Sequence, residues 1–96
     1  METIPEEFFS KYPALKLIGS TDLVEIDLFA NEHPGIKISA KAEWLNPGGS
    51  VKDRPVLRML AMAMLSGELK EGQVILDSSS GNAGIAYAMI GAILGI

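Results

Sequence analysis

The sequence contains no cysteine and a single histidine, His33. Disulfide bonds and thiolate chemistry are therefore excluded, and one histidine cannot by itself form a zinc site. Basic residues are also few, since eight Lys and Arg against twelve Asp and Glu leave a net charge of −4. They form no cluster interleaved with aromatic residues. We therefore expect neither a metal nor a nucleic-acid partner.

Long hydrophobic segments are equally scarce. The most apolar run extends from Ile85 to Ile96, well short of the roughly 20 residues that a helix needs to span a bilayer. Near the N-terminus, Glu2, Glu6 and Glu7 occupy positions where a secretory signal would carry basic residues and a continuous hydrophobic stretch. These features predict no membrane segment, a buried helix for the apolar run, and a cytoplasmic protein.

The N-terminal half of the sequence shows two kinds of periodicity. Residues 5–17 place aromatic and aliphatic side chains at near-helical spacing, which predicts a short amphipathic helix that Pro13 limits in length. Residues 23–28 and 36–44 alternate between apolar and polar side chains, as half-exposed strands do. Turn-forming residues at 31–35 separate the two strands. The pattern therefore predicts a β-hairpin.

The second half alternates helix and strand signals. Residues 50–65 have helical spacing, and Gly67 follows as a stop signal. With Ser50 as the cap, Pro55 would cost a backbone hydrogen bond, so we favour a helix that begins near Asp53. A short buried strand at 74–76 and a second helix from Asn82 follow. This order predicts an α/β fold in which the hairpin precedes βα units of a parallel, helix-covered sheet.

Two Gly- and Ser-rich turns that open helices carry the strongest functional signal. Residues 46–54 read Asn-Pro-Gly-Gly-Ser-Val-Lys-Asp-Arg, and residues 79–85 read Ser-Ser-Gly-Asn-Ala-Gly-Ile. A helix N-terminus gathers unpaired N–H groups and the positive end of the helix dipole, which attract anions. In the first turn, burial beside that positive end would favour a neutral, nucleophilic amine on Lys52. Taken singly, each turn is more simply explained as a surface lysine or a serine-rich helix cap.

Taken together, the two turns resemble the signature of the fold-type II pyridoxal-phosphate enzymes, in particular the cysteine synthase and cystathionine β-synthase family. Residues 17–24, Leu-Ile-Gly-Ser-Thr-Asp-Leu-Val, also resemble that family's N-terminal Ile-Gly-Asn-Thr-Pro-Leu-Val segment. Ser20 there replaces the usual asparagine, and Asp22 replaces the usual proline. The resemblance implies that residues 1–96 form a single, incomplete N-terminal segment of the fold-type II fold.

The resemblance also implies a role for each site residue. Lys52 would be the catalytic lysine that forms an imine with the cofactor, pyridoxal 5'-phosphate. Asn82 would hydrogen-bond the oxygen on the cofactor ring. Asp53 and Arg54, by contrast, are expected to have structural roles. The substrate carboxylate would be bound by the loop formed by Ser79, Ser80, Gly81, Asn82 and Ala83.

The activity implied by the resemblance is β-replacement on an activated serine, O-acetylserine or O-phosphoserine, with a sulfur donor to give cysteine. The complete enzyme would bind a small amino-acid substrate and form a homodimer. The family's glycine-rich phosphate-binding loop lies beyond the matched region, so we expect the chain alone to be inactive. Two alternatives stay open: a truncated or vestigial non-enzymatic protein, and another branch such as cystathionine β-synthase or a serine/threonine dehydratase.

Overall fold

Two helices form the centre of the hydrophobic core in the computed structural model, which describes residues 2–96. Helix α2 (Asp53–Ser66) packs against helix α3 (Asn82–Leu94). The short helix α1 (Glu6–Lys11) and the 3₁₀ turn Pro13–Leu17 add one buried side chain each. The predicted short N-terminal helix is thus confirmed, and it ends before Pro13 as expected. The core consists of Phe8, Leu15, Val56, Leu57, Leu60, Ala61, Ala86, Ile90 and Leu94.

The predicted hairpin is also confirmed. Strand β1 (Leu23–Ile26) pairs antiparallel with strand β2 (Ile38–Lys41), so that Leu23 lies opposite Lys41. Both strands are shorter than the alternating segments of the sequence. The hairpin stands apart from the core, because Leu23 is 66% exposed and Ile38 is 39% exposed. A 3₁₀ turn, Glu43–Leu45, then leads from β2 to the turn that carries Lys52.

Helix α2 begins where the position of its proline allows. The first helical residue is Asp53, as predicted, and Pro55 therefore lies in the first turn, where its missing N–H would have no partner in any case. At the other end, Gly67 adopts a φ of 83°, and its N–H bonds to the carbonyl of Met64. This left-handed glycine ends the helix at the predicted stop signal.

The strand predicted at residues 74–76 is not formed, and this prediction was wrong. Val74 is 90% exposed and Leu76 is 96% exposed, while only Ile75 packs against the core. A buried strand needs a neighbouring strand to pair with its N–H and C=O groups. Within residues 2–96 the only sheet is the two-stranded hairpin. The parallel sheet is therefore absent from this part of the chain, although the α/β class and both helices agree with the prediction.

Helix α3 is buried on one side only, whereas its apolar sequence predicted burial all round. Ala86, Ile90 and Leu94 are buried against the core, but Ile85 is 52% exposed. Since no other element among residues 2–96 covers that second face, its apolar side chains stay in contact with solvent. No helix of the described residues is both long enough and apolar enough to cross a bilayer.

Candidate active site

Lys52 and the serine-rich loop line the same cavity. The cavity has a volume of about 420 Å³, and its walls are Lys52 and residues 78–83. The starts of helices α2 and α3 bring these two segments together, although the motifs lie far apart in the sequence. All the residues for which a site role is predicted therefore line this cavity: Lys52, Ser79, Ser80, Gly81, Asn82 and Ala83.

Lys52 occupies the position immediately before α2. Its backbone is already helical, with φ −65° and ψ −19°, and its N–H bonds to the Ser50 hydroxyl at 3.2 Å. The side chain is exposed, and it makes no hydrogen bond to another group within residues 2–96. The expected burial of Lys52 is therefore not found, because no segment of the described chain packs over it. The amine is instead accessible to a ligand in the cavity.

The Ser79 hydroxyl organises the start of α3. Its oxygen accepts hydrogen bonds from the N–H groups of Gly81 at 3.1 Å and Gly84 at 2.9 Å. Both acceptor sites of the hydroxyl are thereby used, so its remaining capacity is to donate its own proton. The N–H groups of Asn82 and Ala83 bond to no acceptor within residues 2–96. These three donors at a helix N-terminus suit an anionic group such as a carboxylate.

The turn in front of Lys52 is closed by Asp53. The Asp53 carboxylate is fully buried and accepts a hydrogen bond from the Gly48 N–H at 2.6 Å. Its second oxygen, Oδ1, has no hydrogen-bond partner among the described residues. Gly49 adopts a φ of +85°, which glycine tolerates best. The structural role expected for Asp53 is therefore supported by its contacts.

Arg54 forms an ion pair that the sequence motifs did not reveal. Its guanidinium contacts the carboxylate of Glu43, with Nη2 2.9 Å from Oε1, and both side chains are only partly exposed. Hydrogen bonds from Arg54 lower the pKa of Glu43 below its ordinary value, and Glu43 in turn raises the pKa of Arg54. No local sequence pattern connects Glu43 with the start of α2, so this pair cannot be predicted from the motifs.

Comparison with known proteins identifies the class. Residues 14–96 match the family described as pyridoxal-phosphate dependent enzyme. The cysteine synthase of Aquifex aeolicus is 51% identical over 84 residues, which are 85% of this chain and 26% of that protein. The cystathionine beta-synthase of Apis mellifera is 47% identical over 83 residues, covering 84% of this chain and 16% of that protein. The chain belongs to the pyridoxal-phosphate dependent enzyme family.

The solved structures agree with this assignment. The crystal structure of O-ureido-L-serine synthase matches with a TM-score of 0.77 and 44% sequence identity, covering 85% of this chain and 25% of that one. The fold-type II class and the cofactor of the family, pyridoxal 5'-phosphate, are thus confirmed. The chain spans about a quarter, or less, of the length of the relatives it matches.

The residues at the cavity fit this cofactor and an amino-acid ligand. Pyridoxal phosphate carries an aldehyde, which needs an accessible amine, and Lys52 offers one at the cavity wall. An amino acid carries a carboxylate, which needs N–H and O–H donors, and the start of α3 offers them. Both requirements are met by side chains and backbone groups within residues 2–96.

Proposed function

We propose that this chain supplies the N-terminal part of a pyridoxal-phosphate-dependent enzyme that makes cysteine. Its substrates would be an activated serine, O-acetylserine or O-phosphoserine, and a sulfur donor. The shared cavity of Lys52 and residues 78–83 carries the proposal, because it combines an accessible amine with anion-binding donors. The activity is assigned to the complete protein, and we expect little or no turnover from the 96-residue chain alone.

Lys52 is the proposed catalytic residue. Pyridoxal phosphate, when bound, supplies an aldehyde that reacts with amines and a conjugated ring that withdraws electrons from the substrate. The Lys52 amine would hold the cofactor in the resting protein and be released when the substrate amine takes its place. In its neutral form, the free amine would then accept the proton from the substrate α-carbon as a general base.

The loop 79–83 is the proposed binding site for the substrate carboxylate. The Ser79 hydroxyl and the N–H groups of Asn82 and Ala83 would donate to its oxygens, while Ser80 and Gly81 would form the wall between them. The Asn82 side-chain amide would hydrogen-bond the ring oxygen of the cofactor and so orient the ring. Holding the carboxylate on one side fixes the α-carbon near Lys52, and such orientation is a major part of catalysis.

A second candidate is β-replacement with a different sulfur nucleophile. The cystathionine beta-synthase of Apis mellifera is 47% identical, close to the 51% of the Aquifex aeolicus cysteine synthase. The groups described above would act in the same way on either substrate, because they bind the cofactor and the carboxylate rather than the nucleophile.

For the complete protein we propose a small amino-acid substrate, a homodimer and a cytoplasmic location.

The proposal can be tested with a chimaera. This chain would replace the matching residues of the Aquifex aeolicus cysteine synthase, and cysteine formation would be assayed with each activated serine and sulfide. We expect turnover that is abolished by Lys52→Ala and retained by Lys37→Ala, since Lys37 is an exposed lysine of the hairpin loop. A folded chimaera that binds the cofactor but forms no cysteine would contradict the proposed reaction.

A test on the chain alone asks whether the cofactor site is already formed. The chain would be titrated with pyridoxal phosphate, reduced with borohydride, and mapped by mass spectrometry. A saturable absorbance band and a label concentrated on Lys52, both lost in Lys52→Ala, would show a formed site. Equal labelling of Lys52 and Lys37 would show that the site requires the rest of the protein.

A further inference from the structure

A polar network connects the start of α2 with the segment that precedes the hairpin. Arg54 donates from Nε to both carboxylate oxygens of Glu43, at 3.1 and 3.0 Å. Its Nη2 donates to the Gly19 carbonyl and to the Thr21 hydroxyl, both at 2.9 Å. Because the guanidinium is a rigid planar fork, it can hold these partners in one fixed arrangement. Arg54 therefore ties together three segments that are far apart in the sequence.

Asn46 extends this network into the turn that carries the lysine, and it is only 3% exposed. Its Oδ1 accepts the Gly19 N–H at 2.9 Å. Its Nδ2 donates to Glu43 Oε2 at 2.6 Å and to the Ser50 carbonyl at 3.0 Å. The Glu43 carboxylate is thus held between Asn46 and Arg54. The beginning of the lysine turn, at Asn46, is therefore bonded to the same carboxylate as the first turn of α2, and Asn46 in turn holds the middle of the lysine turn at Ser50.

Lys52 lies between these fixed points. Its own side chain is exposed and has no hydrogen bond within the described residues, so no contact of the amine itself fixes the position of the side chain. On one side, Ser50 is held by the network. On the other side, Asp53 is buried and bonded to the Gly48 N–H, and Arg54 follows directly. The position of the amine is therefore determined by the backbone on either side.

We propose that Arg54 is a positioning residue for Lys52. Its contacts with Glu43 and with the segment at residues 19–21 hold the turn 46–52 where Lys52 lines the same cavity as residues 78–83. The importance of Lys52 in this inference rests on the proposed function, but the placement of the turn can be measured without the cofactor. Arg54 itself contacts neither substrate nor cofactor in this assignment.

The test uses spin labels, which the cysteine-free sequence allows. Val51, next to Lys52, and Ser80, in the cavity wall, are both exposed, so Val51→Cys and Ser80→Cys can carry nitroxides on the two segments that meet at the cavity. Electron paramagnetic resonance then gives the distribution of distances between them. We expect Arg54→Met to broaden this distribution by about twofold or more, because the turn gains freedom when its contacts are lost. The matched control is Arg58→Met, since Arg58 lies in the same helix and makes no side-chain hydrogen bond within residues 2–96.

Hydrogen exchange provides a second readout. In Arg54→Met, exchange at the amides of Gly19 and Gly48 should become about tenfold faster or more, because their acceptors are no longer held in place. The amides in the middle of α3 should keep their protection. Distances and exchange rates in Arg54→Met that equal those in Arg58→Met would overturn the proposal.

A milder variant covers the case in which Arg54→Met does not fold, as judged by circular dichroism. Thr21→Val removes only the hydroxyl that accepts from Arg54 and donates to Glu43 at 3.2 Å. We expect a smaller broadening in the same direction, and an unchanged distribution would overturn the proposal. A folded, cofactor-binding chimaera that forms no cysteine would count against the proposed function, and it would leave the distance measurement to decide the role of Arg54.

Discussion

The Asp53 carboxylate accepts a hydrogen bond from the Gly48 N–H at 2.6 Å, and Gly48 has no room for a side chain. A Cβ at position 48 would lie 2.9 Å from Asp53 Cγ and would overlap the carboxylate. Lys52, the residue before helix α2, makes no side-chain capping hydrogen bond. The buried contact between a glycine and an aspartate therefore closes the turn in place of a cap, and it holds the backbone beside Lys52.

Gly48→Ala is expected to destabilise the chain. The added methyl group must displace the buried carboxylate of Asp53 or strain the turn, which should lower the free energy of unfolding by about 1–3 kcal/mol. Urea denaturation followed by circular dichroism measures this change. Gly35→Ala is the matched control, because a Cβ at position 35 meets no atom within 4 Å. Equal stability of the two variants would contradict the close contact at Gly48.

The start of α2 shows how much of the structure local sequence can predict. Pro55 disfavours a helix capped at Ser50, residues 50–65 carry the helical spacing, and Gly67 supplies the stop signal. The hairpin and the start of α3 at Asn82 are predicted from signals of the same kind. Each depends on a few neighbouring residues whose conformational preferences agree.

The rest could not be predicted, because it depends on partners distant in the sequence. The strand at 74–76 has the composition of a buried strand, but a strand exists only when another strand pairs with it. Lys52 is exposed for a similar reason, since no described segment covers it. The network of Arg54 joins residues 11, 33 and 35 positions apart. No periodicity or motif in a single sequence reveals such pairs.

The ion pair of Glu43 and Arg54 should make stability depend on pH. Hydrogen bonds from Arg54 lower the pKa of Glu43 below its ordinary value of 4.5. A carboxyl group with a lowered pKa contributes stability that is present above its unfolded pKa and is lost as the pH falls through its folded pKa. We therefore expect the ion pair to contribute fully to stability at pH values above about 4.5, the ordinary pKa of this carboxyl group. The contribution should disappear as the pH falls below the lowered pKa of Glu43.

The measurement is the free energy of unfolding at a series of pH values on both sides of this range. In Glu43→Gln the loss of stability towards acid should be smaller than in the parent chain. Glu25→Gln serves as the control, because Glu25 is an exposed residue of β1 without an ion pair among the described residues. If both variants lose stability with the same pH dependence as the parent, the ion pair does not contribute.

The Ser79 hydroxyl should stabilise the start of α3. Ser79→Ala leaves the N–H groups of Gly81 and Gly84 without their acceptor, which should cost about 1 kcal/mol, as the loss of a helix cap does. Ser80→Ala is the natural control, since Ser80 lies beside it and makes no hydrogen bond within residues 2–96. Urea denaturation should separate the two variants, and hydrogen exchange should be faster at Gly84 in Ser79→Ala only. Equal effects of the two substitutions would argue against this cap.

The unpaired segment 74–76 should cause the chain to self-associate. Val74 and Leu76 are almost fully exposed, and an extended segment with exposed apolar side chains and free backbone groups can pair with another chain. Val74→Lys with Leu76→Lys should shift sedimentation towards the monomer without changing the helix content. Ser20→Lys with Asn31→Lys is the matched control, because it adds the same two charges to a net charge of −4 at exposed polar positions. An equal shift in the control would mean that net charge, and not the unpaired segment, governs association.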